Sequence, residues 1–250
     1  MPFTLVAYHK AAISATLLPQ TAVPDPHVTT SGNDITIPEL NQIVAALVFG
    51  GAPTQAQIQS PSLRRIILED IPAFIGTEVC TGAVDVIVDK RDNPLVLERS
   101  EKLNFYAITT TDGWCFIWLS DGPIEPVEGD IRTIKATTFH TSAGDAWENG
   151  ALTLTQTLPA GRYAVVGMHA HGTPLLGARL VFVGGTWRPG VPAGAIAGSQ
   201  GIPMFRNGKF GSFGEFEFDQ PPSVDLIGTG VTSTEEVYLD IIQVREGRAG

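Results

Sequence analysis

No stretch of this chain runs far without a glycine or a proline. Its 250 residues hold 27 Gly and 18 Pro, spaced roughly eight to fifteen residues apart. Proline breaks a helix interior and glycine weakens it, so long helices are excluded. The runs between the breaks are rich in Val, Ile, Thr, Phe and Tyr, which fit a pleated, half-buried surface. Short β-rich runs with turn signals at this spacing predict an all-β sandwich or barrel with little helix.

Strands are predicted at Thr4–Tyr8, Asp34–Ile37, Gln42–Phe49, Leu63–Leu68, Val84–Val88, Leu103–Thr110 and Trp114–Leu119 in the first half. The second half gives Ile131–Phe139, Leu152–Thr157, Tyr163–His171, Ala178–Val183, Glu215–Phe218, Ser223–Ile227 and Glu236–Val244. The turn Thr111-Asp112-Gly113 predicts a hairpin between the strands on either side of it. Short helices are predicted at Ala11–Leu18 and at Thr54–Gln59, where Pro53 precedes good helix formers. Ser31–Asp34 reads as turn chemistry.

The segment SDGPIEPVEGD, Ser120–Asp130, holds two prolines and two glycines among acidic residues at mid-chain. It reads as a linker between residues 1–122 and residues 123–250. The halves echo each other. VAALVFGGAP at 44–53 can be laid over VVGMHAHGTP at 165–174, both apolar runs into Gly-x-Pro. SLRRIIL then aligns with ARLVF. One excursion is long: Gly184–Gly214 has little periodicity, yet holds Trp187, Met204, Phe205, Phe210 and Phe213. Each large apolar group left in water costs about 1.5–3 kcal/mol. These five are therefore the candidates for an assembly interface.

Only 17% of the residues are charged, against roughly 25% in an ordinary soluble domain, as expected of a surface covered by copies of itself. The net charge of −10 and the lack of a basic stripe argue against direct nucleic-acid binding and against an anionic membrane surface. Residues 1–18 lack a positive n-region, and His9 and Lys10 interrupt their apolar run, so they are not read as a signal peptide. Cys80 and Cys115 are too far apart in sequence for a CxxC site and read as buried thiols, with a disulfide between them the alternative.

His169 and His171 share one face of a strand, since residues i and i+2 do. They are the weak candidates for a metal site, with His140 or Asp145 as further ligands if their strand lies alongside. A cupin-like site would place a carboxylate shortly after the second histidine, and Gly172–Leu176 offers none. No metal and no cofactor are expected. No G-x-S-x-G elbow or phosphate-cradling loop is present, and no catalytic residue is assigned. Glu69-Asp70, Glu215/Glu217 and Glu235-Glu236 are paired carboxylates by type; Glu215 and Glu217, alternating with Phe216 and Phe218, are better read as the solvated face of a half-buried strand. Trp114, Trp118, Trp147 and Trp187 are the candidates for a sugar-binding platform, Trp114 and Trp118 being four apart on one strand.

The paired features Val44–Pro53 and Val165–Pro174, the linker Ser120–Asp130 and the loop Gly184–Gly214 together give a chain that resembles the double jelly-roll major capsid proteins of tailless icosahedral viruses. The resemblance implies two consecutive jelly rolls, a non-enzymatic shell protein located in the virion, and a homotrimer of pseudo-hexagonal outline. It implies as partners further copies of itself in the capsid lattice, other virion proteins such as penton or spike, and the internal membrane that many of these viruses enclose. The alternatives are a cupin-like or carbohydrate-binding β-sandwich using His169/His171 or surface tryptophans, and a viral spike or accessory protein.

Overall fold

The computed structural model describes residues 3–10, 16–37, 41–50, 55–66, 69–71, 87–108, 113–141, 144–172, 175–194, 202–228 and 233–246. Their regular secondary structure is almost all strand, and they fall into two compact units, the first ending at Pro123 and the second beginning its main run at Ile124.

In chain order the first unit contains β1 (Phe3–Lys10), β2 (Leu18–Pro19), β3 (Thr21–Ala22), β4 (Thr29–Ser31), β5 (Asp34–Ile37), β6 (Gln42–Gly50), β7 (Gln55–Gln59), the helix α1 (Pro61–Ile66), β8 (Glu69–Ile71), β9 (Ile87–Asp89), β10 (Leu95–Val96), β11 (Glu101–Ile108) and β12 (Gly113–Ser120). One sheet runs β1–β12–β6 and then β9 and β10, which both pair with β6. The other runs β5–β11–β7–β8. Letter the eight main strands B to I in chain order, with β9 and β10 sharing G. The sheets then read B-I-D-G and C-H-E-F, which is the order of a jelly roll, and every pairing along them is antiparallel. Tyr8 on β1 ties the sheets by donating its hydroxyl to the Leu103 carbonyl at 2.6 Å.

The second unit contains β13 (Arg132–His140), β14 (Gly144–Gly150), β15 (Thr153–Leu154), β16 (Gly161–His171), β17 (Leu175–Val181), β18 (Gly190–Gly194), β19 (Gly214–Glu217), β20 (Ser223–Gly228) and β21 (Ser233–Glu246). Its pairings repeat the pattern. β13–β21–β16–β19 is B-I-D-G, and β14–β20–β17–β18 is C-H-E-F. A short parallel pairing of β16 with β18 joins the two sheets at His171 and Gly194. Both halves are therefore complete jelly rolls. The segments 44–53 and 165–174, matched by sequence, take in the later parts of the D strands of the two rolls, residues 44–50 and 165–171.

Strand I is central in its sheet, and a central strand buried on both faces reads as a continuous apolar run. GWCFIWLS of β12 is such a run, with all eight residues buried. Cys115 on it is a buried free thiol, and Cys80 lies outside the described residues. The Ser31–Asp34 turn is as read: Ser31 pairs with Asp34 around Gly32, which has φ +59°.

Three expectations fail. Residues 67–68 of the predicted strand Leu63–Leu68 lie outside the described residues, and 63–66 are helix instead, within Pro61–Ile66, which has Pro at its first position. Glu101 fixes it by accepting from the Ser62 amide (2.8 Å) and from the Ser60 (2.7 Å) and Ser62 (2.6 Å) hydroxyls. Thr54–Gln59 is not a helix; Gln55–Gln59 is strand E, held between β11 and β8. Cross-strand pairing there overrides the helix propensity of Ala and Gln. The equivalent of β17 is thus β7, not SLRRIIL. The hairpin across Thr111–Gly113 also fails. Strands β11 and β12 are H and I and lie in different sheets, β11 on β7 and β12 between β1 and β6. Residues 11–15 of the first predicted helix and 84–86 of the Val84–Val88 strand lie outside the described residues, and Leu18–Pro19 is strand.

Candidate functional site

On β21 the side chains of Val237, Leu239 and Ile241 are buried in the core of the second roll. The intervening Glu236, Tyr238 and Asp240 point to the opposite face of the sheet. Register brings His169 beside Tyr238 and His171 beside Glu236 from one side, and Lys135 beside Tyr238 from the other. Glu236 is the hub. It pairs with His171 Nε2 at 2.9 Å, accepts from the Tyr238 hydroxyl at 2.8 Å, and forms an ion pair with Lys135. The two imidazole centroids lie 5.7 Å apart, each 5.9 Å from the Tyr238 ring.

The predicted strand face of His169 and His171 is thus as read, and both rings are buried. Their carboxylate partner comes from β21, far along the chain. His140 and Asp145 lie, in their side chains, outside the described residues. Among the described residues no three His, Cys, Asp or Glu side chains converge as a metal-ligand set. Glu235 and Glu236 cannot act as a carboxylate pair, because neighbours on a strand face opposite ways. Glu235 turns inward and is fully buried, filling the space where a side chain at Gly172 would stand. That is why the turn after His171 requires glycine.

One register step along, Asp240 is fully buried on the same face. It accepts from Arg206 Nε at 2.8 Å and Nη2 at 2.9 Å, from the Asn207 amide at 2.8 Å and from the Thr133 hydroxyl at 2.7 Å. This set pins the loop Ile202–Phe213 onto β21 and β13, and the Gly208 and Phe213 amides tie it to the Val166 and Val165 carbonyls of β16. The loop's own apolar groups, Met204, Phe205, Phe210 and Phe213, are buried within the chain. Of the five residues predicted as assembly contacts, Trp187 alone stays partly exposed.

Glu236, Asp240 and Glu101 are among the carboxyls held below their ordinary range. Lys135 and Tyr238 stabilise ionised Glu236, lowering it from 4.5 to about 2. Burial opposes ionisation of Asp240 and of Glu101, and the hydrogen bonds from Arg206 and Asn207, and from Ser62 and Ser60, outweigh it. A depressed carboxyl contributes stability that is complete above its unfolded value and is lost as pH falls through its folded value. Urea midpoints should therefore stay level as pH drops to about 4.5 and then decline toward pH 2. Glu236→Gln should flatten part of that decline; an acid limb of unchanged slope would show that Glu236 does not contribute.

A further polar cluster sits on the C-H-E-F sheet. Arg179 and Asp225 are cross-strand neighbours on β17 and β20. Arg179 is fully buried, bonds Asp225 Oδ2 through Nε (3.3 Å) and Nη2 (3.0 Å), and stacks 4.0 Å over the Trp147 ring. Asn149 donates to Asp225 Oδ1 at 2.9 Å. Arg188 brings its Nε to 4.0 Å of Asp225 and donates to the Gly185 and Trp187 carbonyls, so the E–F loop is tied to the sheet. This cluster was missed in the sequence. Its signal is one lone charge inside each of two apolar strands, LLGARLV and SVDLIG, which requires a buried partner.

Trp114 and Trp118 are 4% and 0% exposed, so they form no sugar platform. Trp114 stacks on His9 at 4.0 Å. Each of these clusters joins strands to strands or loops to strands within one roll, and none presents a nucleophile beside a base.

No family model and no curated protein matches the sequence. Among solved structures the chain is similar to the major capsid protein P2 from Bacteriophage PM2, at 10% identity and a TM-score of 0.27, over 99% of both chains. It is also similar to the STIV MCP, at 11% identity and a TM-score of 0.26, over 95% of this chain and 97% of the other. The jelly-roll order of both halves is read from the strand pairings and does not depend on either likeness.

Proposed function

We propose that this chain is a structural virion protein, a major capsid protein that assembles as homotrimeric capsomers of an icosahedral shell. The observation that carries the reading is the tandem of two complete jelly rolls in one chain. Three such chains around an axis present six rolls, a near-hexagonal tile. A closed ring of identical subunits also covers the sheet edges that an isolated roll leaves open. The low charged fraction fits a surface largely covered by copies of itself. The buried charges described above tie strands and loops together within each roll. In this reading the chain resides in the capsid, with its own copies as principal partners and other virion proteins, or a membrane beneath the shell, as further ones.

Native mass spectrometry of the purified 26.6 kDa chain is expected to give a species of three copies. Negative-stain images should show compact tiles with a roughly hexagonal outline. A monomer at every salt condition would overturn the reading, and elongated trimers would replace it with a spike or accessory protein.

A further inference from the structure

Of the four tryptophans, Trp114 and Trp118 are buried, and the Arg179 guanidinium lies over the Trp147 ring at 4.0 Å. Trp187 is partly exposed and lines a groove of about 470 Å3 in the second roll. Small-molecule sites span about 300–1,000 Å3. Phe182 and Val183 line the groove beside Trp187, and Arg162, Ser212 and Glu215 supply its polar groups.

The groove is held in shape from both ends. The Gly185 amide donates to the Phe182 carbonyl at 3.0 Å and closes a turn. Gly184 within that turn has φ +72°, which favours glycine. Gly214 lets the Phe182 ring lie against β19, since a Cβ there would stand 2.7 Å from the ring. At the other end Arg188 donates to the Gly185 and Trp187 carbonyls from a buried position beside Asp225. The aromatic wall is therefore set before any ligand arrives, which lowers the cost of binding.

The polar groups select the class of ligand. Arg162 Nε meets Glu215 Oε2 at 2.6 Å, and the two side chains are 46% and 41% exposed. Among the described residues neither has a second polar partner, so the Nη amino groups and Oε1 are left for a ligand. The charges of the pair cancel, and the groove draws neither an anion nor a cation strongly. A purely apolar occupant would strip water from these groups and return no hydrogen bond. A neutral molecule with adjacent hydroxyls, each both donor and acceptor, satisfies the guanidinium and the carboxylate together. Where those hydroxyls sit on a saturated ring, its C–H face can cover Trp187 and Phe182. A sugar ring has both properties.

We propose that this groove binds a neutral saccharide, with Trp187 and Phe182 as the platform and Arg162, Glu215 and Ser212 as partners of its hydroxyls. The site is contained in the second roll. It goes beyond the capsid reading and does not rest on it.

The test is saturation-transfer NMR of the full chain with lactose, maltotriose and cellotriose, each to about 10 mM, the weak end of specific binding. Anionic sialyllactose and cationic glucosamine trimer serve as the charged comparisons. At least one neutral sugar should show saturable transfer, and no charged sugar should bind more tightly than it. Trp187→Ala and Glu215→Ala should each weaken that binding at least about fivefold, and Trp187→Phe, which keeps a ring, should recover most of it. Both positions are partly exposed, so thermal melts should match the parent; if Trp187→Ala melts early, Trp187→Phe and Glu215→Ala decide. Absence of transfer from all three neutral sugars overturns the proposal. So does binding that Glu215→Ala leaves unchanged, or tighter binding of a charged sugar than of any neutral one. Native mass spectrometry of the same sample reads the oligomeric state separately, so failure of the trimer and failure of the sugar site are distinct results.

Discussion

Replacing Arg179 by methionine should lower the unfolding free energy of the second roll by about 3–5 kcal/mol. The side chain of Arg179 is 0% exposed and that of its partner Asp225 is 6% exposed, at 3.0 Å. Removing the guanidinium leaves a desolvated carboxylate with Asn149 and the more distant Arg188, at 4.0 Å, in place of its closest cation. The stacking of Arg179 on Trp147 is lost as well. Methionine keeps most of the volume, so the cost is that of an uncompensated buried charge rather than a cavity. Adding Asp225→Asn removes that charge, so the double variant should be less destabilised than the two single changes added together. Urea unfolding of the four proteins measures this. A single-variant loss below about 1 kcal/mol would mean that water reaches the pair.

Gly208→Ala should be nearly as damaging, at about 3 kcal/mol or more. Two independent causes add. Gly208 has φ +74°, a conformation that costs an L side chain roughly 1–2 kcal/mol. A Cβ there would also stand 1.9 Å from the Val127 carbonyl oxygen, which is backbone and cannot rotate away. The residue is held on both sides: its amide donates to the Val166 carbonyl at 2.7 Å, and its carbonyl accepts from the Val127 amide at 2.9 Å. Easing the clash therefore moves both the 124–130 segment and the Ile202–Phe213 loop off β16. Differential scanning calorimetry would record the loss, and faster proteolysis between Ile124 and Asp130 would locate it. Gly184→Ala serves as the comparison, because it shares the positive φ of +72° but meets nothing within 4 Å. It should show the strain without the clash.

The linker Ser120–Asp130 illustrates what composition can and cannot say. Its prolines and glycines mark a segment outside the main strands, and it does join the end of β12 to the start of β13. Composition does not reveal that Ile124 is buried or that Val127 docks on Gly208. Those contacts depend on a loop some eighty residues away. The two histidines divide in the same way. That His169 and His171 share a face follows from the two-residue period of a strand. That Glu236 meets them follows from which strand lies alongside, and no local pattern encodes it.

Residues 54–68 show the limit most directly. TQAQIQ has helix-forming residues and SLRRII has β-branched ones, yet the first is strand and the second begins as helix. Propensities of a few tenths of a kcal/mol are outweighed by a place between two strands in one case and by the Glu101 cap in the other. The failed hairpin at Thr111–Gly113 has the same origin. A turn signal says that the chain reverses, and it does not say whether the next strand joins the same sheet or the facing one.

By itself the sequence determined the β class, most strand positions and the correspondence of residues 44–53 with residues 165–174. Each of these rests on short-range spacing, of glycine and proline or of apolar residues. The pairing order B-I-D-G and C-H-E-F and the burial of Arg179 and Asp240 were decided only by the tertiary structure. They depend on contacts between residues tens to a hundred positions apart, whose pairing energies appear only when the sheets close.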